Sequence, residues 1–255
     1  MKALILTSNS LRHRYFARSV ARYFEAPTAL VEEKKNYYLD QRDQSLVVRT
    51  HFEKIASAEK LWFVDLADMP LPEIRQVNNI NMPDLVTWAA RQDFDVLCLF
   101  GTAILGRHWL DAFSGKIINL HLGLSPFYRG SATLFWPFVN HELEYLGTTI
   151  HLATSKVDAG EILARIYSDL RVGEAYYDIT SRLIRDSIDR FPQVVIDYLE
   201  GRIRPTRQED FEGKNYRKAD FTQVALEQAL GYIGRGLSLA ELGEIEIRRK
   251  CLYYL

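Results

Sequence analysis

The stretch KALILTSNSLRHRYFARSVARYFEAPTALV, Lys2 to Val31, decides the fold class. Lys2 to Thr7 is a short apolar run that ends in the polar cluster Ser8-Asn9-Ser10, as a buried parallel strand entering a loop does. From Leu11 to Phe24 the residues Tyr15, Val20, Ala21 and Phe24 recur at roughly helical spacing. Pro27 breaks that pattern, and Thr28 to Val31 reads as a second strand. Strand, helix and strand in this order open an α/β sheet.

Outward from this unit, a charged stretch from Glu32 to Lys35 leads into helix formers from Gln41 to Ala67, read as one or two helices. Pro70, Pro72 and Pro83 make the segment between them a loop, and Pro83 to Gln92 is a short helix with proline at its start. Strands follow at Asp95 to Phe100, Lys116 to Leu120 and Gly147 to Ala153, with Ile162 to Ile166 as a hairpin partner that brings antiparallel pairing to the sheet edge. Between Asp178 and Leu199 apolar residues return about once per helical turn despite Pro192, and Gly201 lies just past the end. The predicted fold is α/β, a mostly parallel twisted sheet with flanking helices, in residues 1–202. Residues 203–255 are more polar and less periodic; they form a small C-terminal extension, packed on the main domain or swapped from it, on the acceptor side or at an interface. In such sheets ligands bind beyond the carboxyl ends of strands, so the loops after residues 7, 100 and 120 are the places for a site.

The 255 residues suffice for one large domain with a short appendage, and 47% hydrophobic with 25% charged residues excludes a disordered or fibrous chain. Lys plus Arg (32) nearly balance Asp plus Glu (33), so nothing points to nucleic acid or another polyanion as partner. Two cysteines, Cys98 and Cys251, and an opening without signal-peptide features lead us to expect a cytoplasmic protein without disulfides. No apolar run approaches the roughly 20 residues that cross a bilayer, so no membrane partner is expected. A homodimer stays open as the assembly.

The richest sequence in the chain is the loop after the Lys116 to Leu120 strand, Ile118-Asn-Leu-His-Leu-Gly-Leu-Ser-Pro-Phe-Tyr-Arg-Gly130. In an extended strand Asn119 and His121 share a face, which sets an amide donor beside an acid–base group. The amide suits a developing oxyanion and the imidazole suits proton exchange near neutral pH. Asp158, in the turn Val157-Asp-Ala-Gly160, is placed to orient or charge-stabilise that histidine. Asn, His and Asp without Ser or Cys point to direct acyl transfer rather than a covalent intermediate. On spacing alone, a polar pair on an edge strand is the alternative.

The words NLHLGLSPFYRG and GTTIHLATSKVDAGEIL strongly resemble the folate-dependent formyltransferases, which include the glycinamide ribonucleotide, methionyl-tRNA and sugar-nucleotide enzymes. The family's Asn-x-His, its Pro loop with Tyr or Trp, Arg and Gly, and its later Asp-x-Gly fall on Asn119, His121, Pro126 to Gly130 and Asp158 to Gly160. Two positions depart from the pattern: Gly123 stands where the family commonly has Ser, and Ser125 where it commonly has Leu, so the loop hydroxyl has moved or its role is lost. The resemblance implies a Rossmann-like fold, N10-formyltetrahydrofolate as co-substrate, and attack of a free primary amine on the formyl carbon through a tetrahedral intermediate. It implies that Asn119 donates to the oxyanion, that His121 does the same or relays the amine proton, and that Asp158 holds the imidazole. It places the folate against Thr102, Ile104, Leu105, Thr154, Val157 and Gly160, with the side chains of Ile104 and Leu105 equally readable as core, and Tyr128 and Arg129 on the acceptor side.

Ser8 to Arg14 lies where some relatives seat an acceptor phosphate on a helix N-terminus, and Ser10, Arg12, His13 and Arg14 are the residues to grip it. The Gly-rich signature of a phosphate loop is missing, and a solvated basic first turn is the alternative. Tyr37-Tyr38, Trp62-Phe63 and Tyr176-Tyr177 offer stacking faces or core. A nucleotide-linked amino sugar ranks first as the small-molecule acceptor, because the chain is short for an added tRNA-binding domain and has no basic bias. Glycinamide ribonucleotide ranks second and tRNA last; a deformylating hydrolase and a non-catalytic folate- or nucleotide-binding module are the rival functions. His13, His51, His108, His141 and His151 have no Cys or carboxylate at metal-ligand spacing, so no metal is expected. Gly213 to Lys218 reads as a solvated turn, or as a contact to acceptor or partner chain.

Overall fold

The computed structural model describes residues 1–34, 45–64, 68–233 and 236–252. The opening unit is β1 (Ala3–Ser8), α1 (Leu11–Ala21) and β2 (Thr28–Glu32), with β1 and β2 parallel and Leu4 opposite Thr28. Alternation sends Leu4 and Leu6 into the core on one face of the sheet and Ala3 and Ile5 into the core on the other. Burial on both faces is why this strand is apolar throughout.

The chain continues through α2 (Leu46–Trp62), β3 (Glu73–Val77), α3 (Pro83–Ala90), β4 (Val96–Leu99), α4 (Arg107–Ala112) and β5 (Ile117–His121). After β6 (Tyr128–Gly130) and α5 (Trp136–Val139) come β7 (Gly147–Leu152), β8 (Ile162–Tyr167) and α6 (Tyr176–Leu199). Seven strands make one sheet in the order β3-β2-β1-β4-β5-β7-β8. The first five run parallel; β7 is antiparallel to β5 and to β8. α1 and α6 bury Phe16, Val20, Ile179 and Phe191 on one face, where α2 also packs, while α3 and α4 bury Val86, Ala89, Trp109 and Phe113 on the other. The Trp109 indole donates to Ile80 O at 2.8 Å, which satisfies its buried N–H.

One expectation fails. The segment between Pro70 and Pro83, read as loop, contains the edge strand β3, which pairs in parallel with β2. Its residues Glu73 to Gln76 are exposed, so the strand carries no buried face for a sequence pattern to reveal. The predicted helical stretch from Gln41 to Ala67 holds α2; residues 41–44 and 65–67, like Tyr37-Tyr38, lie outside the described residues.

Residues from 203 onward contribute β9 (Lys214–Tyr216), α7 (Gln223–Ile233) and α8 (Leu239–Leu252). β9 pairs in parallel with β6, Gly130 opposite Tyr216. Gly130 has φ +89, and a Cβ there would strike the Tyr216 carbonyl, so this close approach needs glycine. Leu226, Ala229 and Ile245 sink into the main core. Arg249 of α8 donates to the carbonyls of Ser168 (2.8 Å) and Leu143 (3.1 Å), and so ties the C-terminal helix to the sheet domain.

Candidate active site

The carboxyl ends of β1, β2, β4 and β5 open onto a cavity of about 1180 Å³. β1 and β4 are neighbours where the strand order reverses, the place at which α/β sheets bind ligands. The volume is above the roughly 300–1,000 Å³ of a common single-ligand pocket and has room for two molecules.

The wall after β4 is fixed by its backbone. Thr7 Oγ1 donates to Phe100 O (2.9 Å), and the Ala103 N–H donates to the buried Glu32 carboxylate (2.7 Å). Asn81 accepts from the Gly106 N–H (2.6 Å) and donates to Ile104 O (3.0 Å). These bonds leave the Ile104 side chain 73% exposed at the cavity while Leu105 is buried, which separates two residues that read alike in sequence. Thr102 lies on the same wall, and Thr154 and Val157, the latter 46% exposed, line the cavity from the β7–β8 turn.

Asn119 and His121 share a face of β5, and the antiparallel register sets His151 of β7 opposite Asn119. Asn119 Nδ2 donates to His151 Nε2 at 3.1 Å, keeping its second N–H. The Asp158 Oδ1 lies 3.3 Å from His121 Nδ1 and 3.7 Å from His151 Nε2, while Oδ2 accepts from the Gly130 N–H at 3.2 Å. His121 Nε2 donates to Tyr128 O at 3.0 Å. Gly123 makes that geometry possible, because a Cβ there would collide with both His121 and the Tyr128 carbonyl. The hydroxyl of Ser125 is buried and donates to Asp158 O at 3.3 Å.

Burial lowers the pKa of His121 despite the attraction of Asp158. Burial pushes Asp158 the other way, but His121, His151 and the Gly130 N–H outweigh it and hold the carboxyl below its ordinary range. Near neutrality the pair is therefore an uncharged imidazole against a carboxylate. One N–H cannot serve both Tyr128 O and Asp158 Oδ1, so taking up a proton adds a charge-assisted hydrogen bond.

The far end of the cavity is aromatic and mixed in charge. His51 Nδ1 and the Tyr177 hydroxyl are hydrogen-bonded at 3.0 Å, and Phe221 stacks on the His51 ring at 5.9 Å. Burial pushes His51 down to about 4, with Lys54 adding to the effect. Arg12 pairs with Glu59 at 2.7 Å, Lys34 donates to Gly101 O at 2.9 Å, and Lys218 lines the same end.

Not every residue expected at the site reaches the cavity. His13 lines the cavity but supplies no cation: its ring is held between Ser8 Oγ (2.5 Å) and Ser10 Oγ (2.8 Å), and burial, then Arg12 and Lys34, keep its pKa well below 6.5. Ser10 is used up in that contact, and Arg14 is exposed away from the cavity wall. Tyr128 and Arg129 also lie off the wall; the Tyr128 hydroxyl bonds Glu142 and Asn140, and Arg129 donates to Gln208 at 2.6 Å. Gly160 packs its Cα against the Leu152 carbonyl, where a Cβ would not fit, and faces no ligand space. Phe63 is core with Trp62 against it, whereas Tyr176 and Tyr177 line the cavity. Among the described residues no cluster of three or more His, Cys, Asp or Glu is arranged to hold a metal ion, and no helix is long and apolar enough to cross a membrane.

Residues 12–195 match the family model described as formyl transferase, well over half of the chain. The chain belongs to the formyl transferase family. The chain is 30% identical over 116 residues to the methionyl-tRNA formyltransferase of Clostridium acetobutylicum, covering 46% of the chain and 37% of that protein. It is 28% identical over 111 residues to the phosphoribosylglycinamide formyltransferase of Escherichia coli, covering 43% of the chain and 52% of that protein. The matches thus span about half or less of these relatives. The fold is shared with the sugar N-formyltransferase of a Shewanella species (TM-score 0.59, 15% identity, 94% of each chain). It is shared also with the Helicobacter canadensis N-formyltransferase solved with folinic acid and dTDP-3-aminofucose (TM-score 0.58, 14% identity, 90% of this chain and 80% of that one).

Sequence reasoning gave His151 no place in the site and weighed it only as a metal ligand. Its signal was the register of two adjacent strands, which puts it across from Asn119. Tyr216 and Lys218 reach the cavity from the Gly213 to Lys218 stretch, read as a solvated turn or as a contact to acceptor or partner chain, and Phe221 from a segment without periodicity that gave no signal.

Proposed function

We propose that this protein transfers a formyl group from N10-formyltetrahydrofolate to a primary amine carried by a nucleotide-linked amino sugar. The observation that carries the reading is the convergence of Asn119, His121 and Asp158 on one side of a cavity large enough for donor and acceptor together. The folate supplies an activated formyl carbon. Leu105, Ile104, Thr154 and Val157 form a half-apolar slot for its ring system, next to the catalytic side chains.

The free N–H of Asn119 stabilises negative charge developing on the formyl oxygen. The acceptor must arrive as a free amine; as it bonds to the formyl carbon, the proton it sheds goes to the His121–Asp158 pair, which gains a hydrogen bond by accepting it. The proton then passes to the folate N10 as the bond between N10 and the formyl carbon breaks and tetrahydrofolate leaves. His151 accepts from the Asn119 amide through Nε2 and so orients it.

A nucleotide-linked sugar is supported by the aromatic far end, where Tyr177, Phe52 and Phe221 offer ring faces, with Arg12, Lys34 and Lys218 near them. The solved relative with folinic acid and dTDP-3-aminofucose has the same fold. The test is release of tetrahydrofolate with a panel of aminosugar nucleotides, glycinamide ribonucleotide and water alone, in wild type and His121→Ala. Turnover with an aminosugar nucleotide, lost in the variant, supports the proposal; turnover with glycinamide ribonucleotide or water only, or an active variant, refutes it.

A further inference from the structure

Asp158 is a non-glycine residue with φ +52, an uncommon left-handed conformation that Asp tolerates better than most side chains. A side chain of the C-terminal segment brackets this turn. Gln208 Nε2 donates to Asp158 O (2.9 Å) and to Gly160 O (2.8 Å), bracketing the turn, and Gln208 Oε1 accepts from Arg129 at 2.6 Å. Both amide protons and the carbonyl of this carboxamide are thereby used. Arg129 immediately precedes Gly130, whose N–H holds the Asp158 carboxylate, so one side chain links the two strands of chain that grip this residue.

Gln208 is itself firmly placed. Thr206 and Ile162 exchange backbone hydrogen bonds of 2.7 and 2.8 Å, pinning the segment to the start of β8. On the other side Glu209 pairs with Arg165, which also donates to Ser125 O at 3.0 Å.

We propose that Gln208 is a positioning residue: its carboxamide fixes the backbone of the Asp158 turn so that the carboxylate stands against His121 and His151. Chain beyond residue 202 thus completes the geometry of a site whose reacting side chains all precede it. The proposal rests on the formyl-transfer reading for its effect on turnover, but its test needs neither formyl donor nor amine.

Gln208→Glu keeps the shape and the acceptor for Arg129 but cannot donate to two carbonyls, and Gln208→Met removes both functions. The imidazole nitrogen shifts of the full-length protein are read by NMR from pH 5 to 9, with His121→Ala and His151→Ala as assignments and Asp158→Asn as the limit of a displaced charge. In both Gln208 variants the signals of His121 and His151 are expected to move toward those of Asp158→Asn, while His51 and His108 stay at their wild-type positions. Turnover falls about tenfold in kcat with the donor KM unchanged. Signals of His121 and His151 that coincide with wild type overturn the proposal. So does a spectrum in which all the histidines move, since that reports a fold-wide change. Failure of the formyl-transfer reading is recognised separately, by the His121→Ala assay.

Discussion

At the β5 end of the cavity Asn119, His121 and His151 stand on two paired strands, at positions set by backbone register. At the other end His51, Tyr177, Phe221 and Lys218 come from α2, α6 and the chain beyond residue 202, and meet only because those elements pack together. Rigid strands hold the first group to the tolerance that proton transfer demands. The second group is assembled from helices and an appended segment, whose positions depend on side-chain packing rather than on a shared hydrogen-bond ladder. On the function proposed above, chemistry and acceptor choice are thus carried by different parts of the architecture.

Substitutions at the two ends should therefore fail in different ways. Asp158→Asn removes the charge beside His121 and is expected to lower kcat about 10³-fold with folding intact, checked by donor turnover and circular dichroism. Asn119→Ala removes the donor aimed at developing charge and should cost about 10²-fold in kcat, with donor affinity little changed. Gly123→Ser restores the residue commonly found in the wider family but drives a Cβ into His121; about tenfold loss of kcat and a destabilisation of about 1–3 kcal/mol are expected by urea unfolding. Phe221→Ala takes a ring from the far end and should raise the acceptor KM about fivefold with kcat unchanged, roughly the 1 kcal/mol of an aromatic contact. A kcat effect of Phe221→Ala as large as that of Asn119→Ala would break the division between the two ends.

The smallest expected effect is on pH dependence. His13, His51 and His121 all titrate below their ordinary value in the folded protein, chiefly through burial. Between the folded pKa and the unfolded value near 6.5 the unfolded chain binds more protons, so stability falls as pH drops from about 6.5 toward 4. Asp158 acts lower: its depressed pKa contributes stability above the unfolded carboxylate value, lost as pH falls through the folded one. His51→Phe should flatten the slope between pH 6.5 and 4, measured as urea midpoints at pH 7 and 5. An unchanged slope would show that His51 is not among the groups that set it.

How much of this was legible in sequence differs element by element. β1 was readable because both its faces are buried, and α6 because one stripe of it is; β3 was not, since its side chains face water and only backbone bonds define it. Asn119 and His121 could be paired from the period of a strand, and Asp158 from its turn and the motif around it. Where His13, Tyr128 and Arg129 direct their side chains was not legible, because side-chain direction depends on packing, and all three make contacts within the protein.

By itself the sequence determined the strand–helix–strand opening, the parallel sheet and the placement of an amide beside an imidazole, because these follow from local periodicity and the two faces of a strand. Only the tertiary structure decided that His151 joins them, that Gly123 gives His121 its room, and that Gln208, Tyr216 and Phe221 close the site from the far end of the chain. Apart from Gly123 and His121, which are near neighbours in sequence, these are contacts between segments about 30 to 170 residues apart, which side-chain volume and hydrogen-bond direction settle only once the sheet and its helices are packed.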